Sequence, residues 1–70
     1  MTTPVDKQFL VESLCEELIP MIMNEYHLTD REAVDRLYKS RTFSKIEDPG
    51  TGLYFQGSVY VFEFLKEEFK

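Results

Sequence analysis

Few groups in this chain that can transfer a proton or hold a metal ion are spaced to do so together. Glu12, Glu16 and Glu17 form a dense set of carboxylates, and paired carboxylates can do acid–base work or bind cations. They fall on the polar side of an amphipathic pattern, without a histidine or lysine at a matching spacing. His27 is the single histidine and Cys15 the single cysteine. That excludes the paired Cys-x-x-Cys or His-x-x-x-His spacing of a metal site. Cys15 stands among apolar residues and reads as core, not as a nucleophile. His27 follows the first helical pattern, where a cation would complement the helix dipole and cap the end. The residues define no catalytic, cofactor-binding or metal site, and an enzyme is not expected.

Three other stretches carry binding chemistry. Residues 31–45 hold Arg31, Arg36, Lys39, Arg41 and Lys45 against only Glu32 and Asp35. A basic helix followed by a second short one invites a helix-turn-helix reading and duplex DNA as partner. Yet Arg31–Asp35, Glu32–Arg36 and Asp35–Lys39 are i, i+4 pairs, the arrangement of a solvated helix face. Only Arg41 and Lys45 lack a local acidic partner. Leu53-Tyr54-Phe55-Gln56-Gly57 looks like the core of the viral protease site used to remove affinity tags. Thr51 stands where that site has an acid, so the match reads as coincidence rather than as an engineered scar. The third stretch is aromatic. Tyr54, Phe55, Tyr60, Phe62, Phe64 and Phe69 are six of the chain's ten aromatic residues, and such side chains dominate core and interface energetics.

These groups belong to a chain of 70 residues, 43% hydrophobic and 30% charged, with a net charge of −5. That is one folded domain at most. A domain so small is marginal and usually has a staple. One cysteine forbids an internal disulfide, so oligomerisation or unusually good packing is expected instead. The acidic balance opposes non-specific nucleic-acid binding. No signal peptide or membrane-spanning run is apparent, and a lone thiol fits the cytoplasm.

The elements follow from periodicity. At 100° per residue, Leu10, Val11, Leu14, Cys15, Leu18, Ile19, Met21, Ile22 and Tyr26 share one half of a helical wheel. This predicts a first helix from about Pro4 or Val5 to Tyr26. Pro20 falls on its polar face, where the helix bends but continues. Thr29-x-x-Glu32 is a capping box opening a second helix to about Ser40 or Arg41, with Ala33, Val34, Leu37 and Tyr38 buried. Residues 42–47 form a further turn, with Phe43 and Ile46 inward. Asp48-Pro49-Gly50-Thr51-Gly52 breaks the chain, and Leu53–Phe55 is expected to be extended. Ser58 can cap a last helix from Val59 to about Phe69. The rival is a hairpin turning at Gly57-Ser58, which would make the fold α+β. On the helical reading, Tyr60, Val61, Phe62, Phe64, Leu65 and Phe69 span about 200°, wider than a one-sided helix needs.

Leu28-Thr29-x-x-Glu32-Ala33, Leu37-Tyr38-x-Ser40-x-Thr42-Phe43, Thr51-Gly52-Leu53-Tyr54-Phe55-Gln56-x-Ser58-x-Tyr60-Val61 and Leu65-Lys66-Glu67-Glu68 together resemble a family of small bacterial proteins. They are common in gut anaerobes and carry only a domain-of-unknown-function label. Some relatives are encoded beside larger toxin-like proteins, which implies an antitoxin or accessory role and names no catalytic residue. The expectation is a mainly α domain of three or four helices acting in protein–protein contact, as a homodimer or accessory subunit. Its interface is expected at Tyr54, Phe55, Tyr60, Phe62 and Phe64, with Arg41 and Lys45 at the rim. The alternative is a DNA-binding or antitoxin-type regulator using segment 31–45.

Overall fold

The structure, a computed structural model, describes residues 7–70. The predicted helix start at Pro4 or Val5 lies outside them. Four α-helices follow in order: α1 Lys7–Tyr26, α2 Asp30–Tyr38, α3 Arg41–Glu47 and α4 Ser58–Glu68. A 3-10 turn, Leu53–Phe55, joins α3 to α4. There is no strand among the described residues, and the fold is all-helical as expected.

α1 is the spine. It runs unbroken through Pro20, which lies exposed on the polar side of the helix. Val11, Leu14, Cys15, Leu18 and Ile22 form its buried stripe, and α2, α3, α4 and the 3-10 turn all pack against α1. Leu18, Ile22, Leu37, Ile46, Val61 and Leu65 are the largest fully buried side chains. Truncating one such leucine or isoleucine to alanine typically costs about 2–5 kcal/mol, a large share of what a domain this size has.

The breaks between helices have local causes. His27 adopts the left-handed conformation at φ 56°, and the Leu28 N–H returns to the Met23 carbonyl at 3.1 Å. This is the 6→1 bond of a Schellman ending. His27 therefore ends the helix through its backbone. The capping box at α2 is complete: Thr29 Oγ1 accepts the Glu32 N–H at 3.2 Å, and Glu32 Oε1 accepts the Thr29 N–H at 2.9 Å. α2 stops two residues before the expected limit because Ser40 serves α3. Its hydroxyl accepts the Phe43 N–H at 3.0 Å and donates to the Leu37 carbonyl at 2.6 Å. Of the buried face expected on α2, Ala33 and Leu37 are buried, Val34 is half-buried and Tyr38 is exposed.

Two expectations near the last helix change. Asp48–Thr51 is a β-turn with Pro49 and Gly50 at its centre, closed by the Thr51 N–H on the Asp48 carbonyl at 3.1 Å. Gly52 then takes φ 67°, which a side chain would resist. That reversal turns Leu53 into the core and winds residues 53–55 into a 3-10 turn instead of an extended segment. Ser58 is the first residue of α4 and not its cap. Gly57 occupies the cap position without a side-chain hydrogen bond. Helix prevails over hairpin because Val61, Phe62 and Leu65, at i, i+1 and i+4, all enter the core.

A tertiary clasp holds α3. The Glu68 carboxylate, from the last turn of α4, accepts the Arg41 N–H at 2.7 Å and the Thr42 N–H at 2.9 Å. It also accepts the Thr42 hydroxyl at 2.8 Å. At the opposite end the Lys7 ammonium donates to the Glu47 carbonyl at 2.8 Å. An anion at the start of a helix and a cation at its end both complement the macrodipole. Partial burial pushes the Glu68 carboxyl up, but the Arg41 and Thr42 hydrogen bonds and the Arg41 charge outweigh it and leave the pKa lowered.

Two outcomes follow. His27→Gly relieves the left-handed strain at an exposed position and should stabilise the fold by about 0.5–1 kcal/mol, read as a Tm rise of about 2–8 °C. Glu68→Gln should cost about 1 kcal/mol at pH 7. Because the folded pKa is lowered, the carboxylate's contribution is present above the unfolded value. It is lost as pH falls through the folded value. Urea unfolding from pH 7 to pH 3 should therefore show wild type and Glu68→Gln converging in acid.

Candidate interaction surface

The aromatic run divides between inside and outside. Around α4, Val61, Phe62 and Leu65 face inward. Phe62 is only 7% exposed, and the Lys66 ammonium lies 5.4 Å from its ring centre. It is thus a core residue and not the interface residue expected, because its direction on the helix turns it toward the core. Phe69 is also partly buried. Its ring meets Tyr26 edge-on at 5.6 Å, and the Arg36 guanidinium lies 5.3 Å from it.

Tyr60 and Phe64 take the other direction. They are 53% and 37% exposed, and their rings meet edge to face at 5.3 Å. They stand one turn apart on the outer edge of α4. The core closes beneath them without their help. Val59, 68% exposed, adds an apolar side chain at the start of the helix that sequence reasoning did not single out. Tyr54 and Phe55 stack at 4.7 Å on the 3-10 turn. Tyr54 packs on the core, whereas Phe55 is 70% exposed. Together with Leu10, Leu14 and Gly57 they line a shallow notch of about 250 Å³.

Arg41 and Lys45 stand together beside Phe64. They line a groove of about 420 Å³ between α3 and α4, with Phe64 as its apolar wall. The two acids in that groove are engaged: Glu68 by the clasp, and Glu67 by Lys70 at 3.3 Å. Neither Arg41 nor Lys45 forms an ion pair among the described residues.

The rest of the basic segment is engaged or scattered. Lys39 pairs with Asp35 at 3.0 Å. The expected Glu32–Arg36 pair does not form, because Glu32 completes the capping box and Arg36 lies over Phe69. Arg31–Asp35 does not form either, Asp35 being taken by Lys39. A further aromatic pair escaped the sequence pattern: the exposed Tyr38 ring lies 4.7 Å from Phe43. Partial burial and the nearby Cys15, Glu12 and Glu47 raise the Tyr38 phenol pKa.

The groups with reaction chemistry stay apart. Burial, with help from Glu47 and Glu12, pushes the Cys15 thiol up to about 11, so it is neutral at pH 7 and a poor nucleophile. His27, Glu12, Glu16 and Glu17 are exposed. No group of three or more His, Cys, Asp and Glu suited to a metal ion occurs among the described residues. No helix among them is long and apolar enough to cross a membrane. Comparison with protein-family models, with curated proteins and with solved structures gives no match.

The protease-like pentapeptide is held in a non-substrate shape. Leu53 is buried, and the Gln56 N–H bonds the Leu53 carbonyl at 3.0 Å, whereas peptide clefts commonly bind strands in extended form. Digestion with the tag-removal protease should cut Gln56–Gly57 at least about tenfold more slowly in the folded protein than in a peptide of residues 48–60. Cleavage through local opening also requires sub-denaturing urea to speed it.

Proposed function

We propose that this protein is a small protein-interaction module that pairs with a second copy of itself through the outer edge of α4. The observation that carries the reading is the Tyr60–Phe64 pair, exposed over a core already complete beneath it. Neither ring belongs to the core cluster, and aromatic anchors ringed by charge are the usual anatomy of a contact surface. A two-fold pairing covers the same patch on both copies at once. It also supplies the extra burial that a 70-residue chain with one cysteine lacks from any disulfide.

Light scattering coupled to size exclusion, over a dilution series, tests this. The expected mass is about twice 8.3 kDa at high concentration, falling toward the monomer on dilution. Tyr60→Ser with Phe64→Ser should shift that transition by at least tenfold in concentration, on the order of a lost hot spot. Circular dichroism of the dilute monomer should stay unchanged. A wild-type monomer at every concentration would sink the proposal.

A further inference from the structure

The outer edge of α4 is too small to be the whole contact. An 11-residue helix is about 16 Å long, and one exposed edge of it falls well short of the ~800 Å² per partner in a standard interface. What flanks the aromatic pair must therefore lie inside the footprint. On one side is α3, with Arg41 and Lys45 beside Phe64. On the other side, by helical angle, comes Glu63, whereas Glu67 reaches into the α3–α4 groove with Arg41 and Lys45. Among the described residues Glu63 pairs with Lys66 and Glu67 with Lys70, each an i, i+3 contact at 3.3 Å, and such exposed pairs hold their charges weakly. The edge therefore runs from Arg41 and Lys45 of α3, across the aromatic pair, to the Glu63 carboxylate.

Symmetry then selects an orientation. A two-fold axis running across α4 makes the two copies of the helix antiparallel and sets like flank against like. An axis running along α4 makes them parallel and sets the α3 cations of each copy toward Glu63 of the other. Two chains of net charge −5 repel one another, so only the second arrangement offsets the repulsion locally. We infer that the protein pairs with α4 parallel to α4 of the second copy, Lys45 facing Glu63 across the axis. The levels agree, since Arg41 is tied to Glu68 at the end of α4 and Lys45 lies one turn further along α3, beside Phe64. This rests on the self-pairing proposed above and adds its orientation and charge register.

The test is a charge exchange on the full chain, read as the dimer dissociation constant by sedimentation or light scattering. Lys45→Glu and Glu63→Lys should each weaken pairing about tenfold, because two contacts per dimer turn from attraction to repulsion. The double variant should return to within about threefold of wild type. Glu63→Lys is the discriminating case. It loses one carboxylate and gains one ammonium, taking the chain from −5 to −3. Net-charge repulsion alone would make that variant pair more tightly. A wild-type dimer whose affinity is unmoved or increased by Glu63→Lys overturns the parallel register and leaves self-pairing standing. A monomeric wild type overturns both. Both positions are solvent-exposed, and circular dichroism confirms that each variant folds before its affinity is read.

Discussion

α3 is a helix that cannot stand unaided. Seven residues are far below the length at which a helix is stable in water. Its existence depends on groups brought to it from the two ends of the described chain. The Glu68 carboxylate meets its first amides, and the Lys7 ammonium meets its last carbonyl. Ser40 adds a local cap between α2 and α3. With α3 in place, Ile46 reaches the core, and the 3-10 turn and α4 each gain a neighbour to pack on. The clasp therefore couples the beginning of α1, the middle of the chain and the last turn of α4. In a domain with so little buried surface, that coupling does work that a disulfide does in other small folds.

Periodicity and capping chemistry made the helices legible. The stripe on α1, the capping box at Thr29 and Glu32 and the inward Ile46 are local patterns, and local patterns are what a sequence displays. What stayed hidden was set across distance or by a single backbone reversal. Nothing in the spacing of Glu68 and Arg41 announces a clasp 27 residues apart. The left-handed Gly52 turned an expected extended segment into a 3-10 turn, and a glycine can signal freedom without saying how it will be used. Tyr38 lies in register with Val34 and Leu37 yet remains outside, because the sides of α2 that α1 and α3 cover leave it at the margin.

The aromatic segment shows the same division. An arc of about 200° on α4 announced more apolar surface than a small core can accept. It did not announce which residues would be left outside. Phe62 went in beneath Lys66, whereas Tyr60 and Phe64 stayed out as a pair. Arg41 and Lys45, conspicuous in sequence for having no helical partner, came to stand beside Phe64. That neighbourhood arises only when α3 packs on α4, so the clasp that builds the fold also assembles the candidate surface.

The clasp has one further consequence, for the protons of the backbone. The first amides of a helix have no carbonyl partner within it and ordinarily face water. In α3 those of Arg41 and Thr42 are instead locked onto a carboxylate from another helix. Their exchange with solvent deuterium is thereby tied to the opening of α4 against α3 rather than to fraying at the end of α3. Two positions that would be silent in most helices become reporters of whether the tertiary structure is closed.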